Sequence, residues 1–166
     1  MKVRFILFFS VLANLLYSQL LDGDFANYTL ADTLRGSMRP ERTAFDVSYY
    51  DLHLLVDFEK KEIAGYNDIY YQAQSDFKRL QIDLFDNMRI DSIIFAGQSL
   101  NFERVFNAVF IDFAEAQLKG SSSMFRVYYH GKPIIAENPP WDGGFTWQKD
   151  KKGNDWLGVS CEGIGA

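Results

Sequence analysis

The chain has 166 residues, of which 48% are hydrophobic, 23% charged and 16% aromatic, and its formal net charge is −5. This composition excludes a wholly disordered chain. The acidic balance, without a basic stripe, argues against binding to nucleic acid or to an anionic membrane surface. The single cysteine, Cys161, excludes an intramolecular disulfide. A hydrophobic core must therefore hold the fold together.

Residues 1–18 have the layout of a secretory signal peptide. Lys2 and Arg4 precede an apolar run from Phe5 to Leu16, and Ser18 is a small residue suited to a cleavage point. The run is about twelve residues long, which is short for a helix that must span a ~30 Å hydrocarbon core. An uncleaved N-terminal anchor is the alternative. We predict export to the periplasm, the cell surface or the medium, with no membrane span in the mature chain.

Residues 19–44 are predicted to form an irregular leader. They mix Gly, Asp, Arg and Pro and lack a sustained hydrophobic period. We expect this segment to lie along the surface of the domain that follows it, without a helix of its own.

From Phe45 onward, apolar and polar residues alternate in the manner typical of β-strands. The first such run predicts a strand with one buried face, formed by Tyr50, Leu52, Leu54, Val56 and Phe58. Further runs, separated by polar turns, occur at 63–73, 80–84, 88–95, 100–102, 109–113 and 125–130. A slip in the apolar phase between Ile90 and Ile93 predicts a β-bulge. The fold class is all-β, an antiparallel sandwich or saddle of about seven or more short strands.

Residues 138–166 contain all three tryptophans and Cys161. Asp-Gly-Gly at 142–144 is a strong turn signal, and segments 145–148 and 156–160 are predicted to pair as a C-terminal, Trp-rich hairpin. The aromatic side chains of this region could either wall a binding site or cap the core, and the sequence leaves both readings open. They are Trp141, Phe145, Trp147 and Trp156.

No metal site or acid–base pair is evident in the sequence. His53 and His130 lack the spacing of zinc ligands and are interpreted as surface residues. Five carboxylates alternate with core residues or lie at strand ends, so we interpret them as solvated side chains of outer faces and turns. They are Glu62, Asp68, Asp83, Asp86 and Asp91.

Glu162 differs from these carboxylates because two glycines, Gly163 and Gly165, follow it closely in the sequence. Residues without side chains allow a ligand to approach closely, so the carboxylate could pair with a cation such as a ligand's ammonium group. An ordinary exposed glutamate is the alternative. We interpret Cys161 as a small packing residue, because no histidine lies near it in the sequence to activate a nucleophile.

Three stretches resemble a known family in order and spacing. They are LRGSMRPERTAFDVSYYDLHLLVDF, LQIDLFDNMRIDSI and GKPIIAENPPWDGGFTWQKDKKGNDWLGVSCEGIGA. Over residues 34–166 the chain is similar to the N-terminal domain of the zinc aminopeptidases that include aminopeptidase N and leukotriene hydrolase, in particular to exported members from Bacteroidetes-type bacteria. The resemblance implies a β-saddle domain at residues 45–166, followed in the family by a thermolysin-like catalytic domain.

The resemblance also implies residue roles. In the family, the residue directly after a Cys at a hairpin edge holds the free α-amine of the substrate, and the matching residue here is Glu162. Gly163 and Ile164 would line the same contact, and Trp147 would help to shape the cleft. The family's zinc, bound by His-Glu-x-x-His and a third Glu, polarises the scissile carbonyl and activates water.

The zinc-binding motif is absent from this sequence. The resemblance therefore implies the substrate-anchoring N-terminal part of an exported zinc metallo-aminopeptidase, truncated before its catalytic domain, binding no zinc itself and inactive alone. The expected partners are a peptide with a free N-terminal amine and the missing catalytic domain in cis. The alternative is a secreted, non-catalytic all-β binding or scaffold module.

Overall fold

The computed structural model describes residues 27–161. The chain divides into two units, Met1–Leu30 and Ala31–Ala166, and all the strands belong to the second. The predicted signal peptide, residues 1–18, lies outside the described residues. Within the described part of the chain, no helix is long and apolar enough to cross a membrane.

Two short helices precede the sheets, α1 at Leu30–Gly36 and α2 at Pro40–Thr43. They correct the prediction that residues 19–44 contain no helix. Pro40 stands in the first turn of α2, where its missing N–H is not needed for an intrahelical hydrogen bond. Helices of seven and four residues are too short to give a sustained 3.6-residue period, which is why the sequence pattern does not reveal them.

The described residues contain ten strands, and every pair of neighbouring strands is antiparallel. The strands are β1 Phe45–Asp57, β2 Glu62–Ala73, β3 Phe77–Asp83, β4 Met88–Phe95, β5 Gln98–Ser99, β6 Asn101–Val105, β7 Ala108–Gln117, β8 Ser122–Gly131, β9 Gly144–Lys149 and β10 Asp155–Ser160. They form a five-stranded sheet in the order β1-β2-β8-β4-β5, a three-stranded sheet β3-β7-β6 and a two-stranded sheet β10-β9. The predicted all-β fold class is confirmed.

The hydrophobic core joins the five-stranded and the three-stranded sheets. Phe113 of β7 packs edge-to-face against Phe125 of β8 and Phe95 of β4, with ring centroids 6.3 and 5.0 Å apart. Tyr71 of β2 is buried in the same cluster, and its hydroxyl donates a hydrogen bond of 2.9 Å to the side chain of Gln117. Burial raises the pKa of Tyr71 to about 12, because the charged phenolate would lose its hydration.

The register of β4 against β8 shifts between Ile90 and Ser92. This irregularity lies where the apolar phase slips in the sequence, and the predicted β-bulge is confirmed. On its two sides, Ile90 and Ile93 are both buried in the core. In a regular strand, residues three positions apart point to opposite faces. A bulge adds one residue to the strand, so Ile93 can point to the same face as Ile90.

The apolar face of β1 is largely exposed, which corrects the prediction that it is buried. These side chains lie opposite β2 residues that include the core residues Ile63 and Ile69, so they do point to the core side of the sheet. However, β1 is the outermost strand of its sheet. The exposed fractions are 57% for Tyr50, 54% for Leu52, 41% for Leu54 and 39% for Val56.

Candidate functional site

The connection from β8 to β9 carries the chain to the Trp-rich hairpin through a short parallel bridge between Ile135 and Phe145. Phe145 N–H donates to Ile134 O at 2.7 Å, and Ala136 N–H donates to Phe145 O at 3.1 Å. Gly144 permits this approach, because a Cβ there would lie 2.7 Å from Ala136 N and its φ is +138°. The glycine of the predicted turn is therefore required by close backbone packing.

The turn at 138–142 is closed by its own side chains. Asp142 Oδ2 accepts hydrogen bonds from the backbone N–H of Asn138 at 2.9 Å and from its side-chain Nδ2 at 2.8 Å. Asx residues commonly stabilise turns by such local contacts. Trp141 lies within this turn and is 80% exposed.

The predicted hairpin is confirmed, with β9 and β10 paired from Gly144–Ser160 at one end to Lys149–Asp155 at the other. Its turn is organised by Asp150, whose carboxylate accepts backbone N–H groups of Lys152 and Asn154, both at 2.8 Å. The side-chain hydrogen bond from Asn154, together with these backbone donors, holds the pKa of Asp150 below its usual range.

The two faces of the hairpin have different environments. Phe145 and Trp147 lie on one face, opposite Val159 and Leu157, and both pack against the main core. The Trp147 ring meets Phe58 edge-to-face at 5.5 Å. Its indole N–H is buried and has no hydrogen-bond partner among the described residues.

The structure thus divides the aromatic set whose role the sequence leaves open. Phe145 and Trp147 cap the core, whereas Trp156 lies opposite Gln148 on the other face and is 61% exposed. Trp147, which the resemblance places in the cleft, is half-buried and anchors the hairpin to the tip of the β1–β2 hairpin through Phe58.

Cys161 follows β10 directly and is exposed, which corrects the expectation that it is a buried packing residue. It borders a largely apolar cavity of about 250 Å³. The cavity is also lined by Phe85, Pro133, Ile134, Phe145 and Val159. The three predicted site residues Glu162, Gly163 and Ile164 come next in the chain and lie outside the described residues.

The histidines do not belong to a metal centre in the described part of the chain. Between residues 27 and 161, no group of three or more His, Cys, Asp or Glu side chains is placed to hold a metal ion. His53 lies 3.2 Å from Asp51, and His130 Nδ1 lies 2.8 Å from Asp91. Both imidazoles are about half exposed, in agreement with their interpretation as surface residues.

For Asp68, the prediction of a solvated side chain is wrong. This residue is 4% exposed, not solvated, and it lies directly opposite Arg126 in the β2–β8 pairing. Hydrogen bonding from Arg126 holds the pKa of Asp68 below its usual range. By contrast, Asp83 and Asp86 are exposed, and Asp83 pairs with Arg42. Asp68 and Asp83 therefore belong to separate ion pairs.

The signal for the Asp68–Arg126 contact was present in both strands. Each residue alternates with buried residues of its own strand, Ile69 beside Asp68 and Phe125 and Val127 beside Arg126. Only the register of β2 against β8 brings the two charges together.

No protein-family model matches the sequence, and no curated protein matches it. Solved structures do match. An M1 zinc metallopeptidase from Deinococcus radiodurans is 20% identical, with a TM-score of 0.52 over 67% of this chain and 27% of that chain. Yeast LTA4 hydrolase is 17% identical, with a TM-score of 0.56 over 74% of this chain and 20% of that chain. Over the matched residues, the chain shares the fold of one part of each of these proteins.

Further matches include a two-domain M1 zinc metallopeptidase bound to L-arginine, at 20% identity and a TM-score of 0.52 over 67% of this chain. The expected resemblance is therefore confirmed at the level of the fold. The chain spans 27% of the length of that metallopeptidase, so the likeness concerns one part of a larger architecture.

Proposed function

We propose that this chain is the N-terminal, substrate-anchoring domain of an exported zinc metallo-aminopeptidase, which removes N-terminal residues from peptides. The observation that carries the proposal is the fold shared with an M1 zinc metallopeptidase over 67% of this chain but only 27% of that chain. Such coverage supports a role as one domain of a larger enzyme.

Glu162 is the proposed contact for the substrate's free amine. It follows Cys161, the exposed residue at the end of β10 beside the 250 Å³ cavity. A carboxylate at such a hairpin end can accept charge-assisted hydrogen bonds from an ammonium group. Gly163 and Ile164 would present backbone close to the same ligand. Trp147 would act as a positioning residue, since its contact with Phe58 fixes β9.

The sequence contains no His-Glu-x-x-His motif, so zinc in the parent enzyme would be held by residues outside this chain. When bound in the parent enzyme, zinc would polarise the scissile carbonyl and activate the attacking water. The residues of this chain would bind and orient the peptide and leave the bond-breaking step to the catalytic domain. The 166-residue chain alone would therefore have no peptidase activity.

The test is a comparison of two proteins from the same gene. The sequence downstream of the codon for Ala166 is read, and an open frame encoding His-Glu-x-x-His is expected. The longer product should hydrolyse peptides with a free amine and lose this activity when a chelator removes zinc, whereas the 166-residue chain should be inactive. A stop codon directly after Ala166, or no peptidase activity in the longer product, would refute the proposal.

One observation favours a second candidate, a secreted non-catalytic binding module. Trp141 and Trp156 are 80% and 61% exposed, and solvent-facing aromatic side chains of this kind are frequent at binding surfaces. A module of this type would bind a ligand through these tryptophans without any catalytic domain. The same downstream sequence distinguishes the two candidates.

A further inference from the structure

The end of β10 leads into the residue that is proposed to hold the substrate's amine. Ser160 is the last residue of β10, and Glu162 follows it by two positions in the sequence. In the described part of the chain, β9 and β10 form a sheet of two strands. A two-stranded hairpin is marginally stable by itself in water, so the contacts that dock this hairpin onto the rest of the fold determine where β10 ends.

One such contact is made by Phe145, which is hydrogen-bonded through both its N–H and its C=O to the segment that leaves β8. The N–H donates to Ile134 O at 2.7 Å, and the C=O accepts from Ala136 N–H at 3.1 Å. Gly144 directly precedes Phe145 and pairs with Ser160. Ile134, Gly144 and Ser160 also line one cavity, so this contact lies beside the end of β10.

The segment that makes this contact, residues 132–136, is itself held in place. Pro133 and Ala136 are buried, and the proline ring restricts the backbone φ. Asn87, in the connection between β3 and β4, donates a side-chain hydrogen bond to Lys132 O. The segment therefore links the hairpin to the main sheets through defined contacts at both of its ends.

We propose that Gly144 is a positioning residue for Glu162, a role that rests on the proposed function of that carboxylate. A Cβ at position 144 would lie 2.7 Å from Ala136 N and 2.8 Å from Ile134 O. Both are backbone atoms of segment 132–136, and φ of Gly144 is +138°, a value that favours glycine. Ordinary contacts of a Cβ begin at 3.4 Å, so an alanine would force the hairpin and the segment apart.

The task of the carboxylate makes it sensitive to such a displacement. Hydrogen bonds from an ammonium group to a carboxylate are short, about 2.7–2.9 Å. A substrate held by its amine is also placed by that contact against the catalytic groups, and a misplacement of about 1 Å can lower the rate about 100-fold. Gly144 would therefore affect the reaction through the position of Glu162, without touching the substrate.

The structural part of the proposal can be tested in the 166-residue chain with a nitroxide spin label. Cys161 is the only cysteine, is exposed and directly follows β10, so a label on its thiol reports the order at the end of that strand by electron paramagnetic resonance. Gly144→Ala should make the label more mobile. The matched control is Gly158→Ala in β10, where the Cβ would meet Thr146 Cβ at 3.7 Å, an ordinary contact. The control should leave the spectrum unchanged.

Ala136→Pro is a second variant, for the case in which Gly144→Ala does not fold. It keeps Gly144 and removes the N–H that donates to Phe145 O. Far-UV circular dichroism verifies that each labelled variant retains its β-structure. This variant should also make the label more mobile.

The functional part is tested by a double-mutant cycle in the longer, zinc-containing protein. Gly144→Ala should lower kcat/KM on a free-amine peptide by about 10- to 100-fold, the scale of a small misplacement, and Gly158→Ala should leave it unchanged. In a Glu162→Ala background, Gly144→Ala should cause no further fall, because two residues that act through one contact are not additive. General damage to the fold would lower kcat/KM in both backgrounds.

The outcomes separate this role from the proposed function. If Glu162→Ala lowers kcat/KM and Gly144→Ala does not, the positioning role is wrong and the amine contact stands. A fall for Gly144→Ala that is equally large in both backgrounds, or identical label spectra for all the chains, would also overturn the role. If Glu162→Ala leaves kcat/KM unchanged, the amine contact itself is refuted, and the positioning role with it.

Discussion

Asp68 and Arg126 face each other across β2 and β8 and share two hydrogen bonds, of 2.6 Å from Nε and 2.7 Å from Nη2. The guanidinium also lies over the Tyr66 ring, 3.9 Å from its centroid. The carboxylate is almost fully buried and its partner is partly exposed. The pair therefore fixes the middle of the five-stranded sheet on the side away from the main core.

Asp68→Asn is expected to destabilise the fold by about 1.5–3 kcal/mol at pH 7, the usual scale for a hydrogen bond to a charged group. Urea denaturation of the variant and the natural chain measures this difference. Asp46→Asn, at an exposed position of the neighbouring β1, is the control and should change stability by less than about 0.5 kcal/mol.

The same pair predicts a pH dependence. Because Arg126 holds the pKa of Asp68 below its usual range, the carboxylate contributes fully to stability above about pH 4, the ordinary value for Asp. The contribution is lost as the pH falls through the lowered folded-state pKa. The difference between the natural chain and Asp68→Asn should therefore shrink at low pH. A difference that is constant down to pH 2 would contradict this assignment.

Gly65→Ala is expected to destabilise the fold by at least about 1–3 kcal/mol, the scale of overpacking. A Cβ at Gly65 would lie 1.9 Å from the carbonyl oxygen of His53 on β1, and backbone cannot move aside as a flexible side chain can. Thermal unfolding measures the loss. Gly36→Ala is the control, since a Cβ there meets nothing within 4 Å. Equal melting temperatures for the two variants would show that β1 and β2 are not this closely paired.

Trp147→Ala is expected to cost roughly 3 kcal/mol, at the low end of the range for removing a core tryptophan because this one is half-buried. It would release the hairpin from Phe58, so amide hydrogens of β9 and β10 should exchange faster. Trp156→Ala removes a ring that is 61% exposed and should change stability by less than about 0.5 kcal/mol. If Trp156 proved the costlier position, the assignment of the two hairpin faces would be wrong.

Features encoded by neighbouring residues could be predicted from the sequence. The hairpin of β9 and β10 follows from alternation on both sides of a polar turn, and the bulge in β4 follows from the phase slip at Ile90. Features that depend on which strands pair, and in which register, could not be predicted from the sequence. The exposure of Leu52 follows from the edge position of β1, and the contact of Asp68 with Arg126 joins residues 58 apart in the chain.

The site was only partly accessible from the sequence for the same reason. Trp147 and Trp156 carry the same side chain in one hairpin, and only the docking of β9 onto Phe58 separates the buried ring from the exposed one. Cys161 is a small apolar residue by type, yet it lies beyond the last hydrogen-bonded pair of the hairpin and is exposed. The role of Glu162 came from a family resemblance and stays a prediction.

The central claim is that Glu162 holds the substrate amine. The direct test is the kcat/KM of the longer, zinc-containing protein and its Glu162→Ala variant on a free-amine peptide, with Glu115→Ala, an exposed carboxylate of β7, as the matched control. Loss of a buried charge pair of 2–5 kcal/mol predicts a fall of about 30-fold to several thousand-fold for Glu162→Ala. Glu115→Ala should leave kcat/KM unchanged. An unchanged kcat/KM for Glu162→Ala would contradict the account.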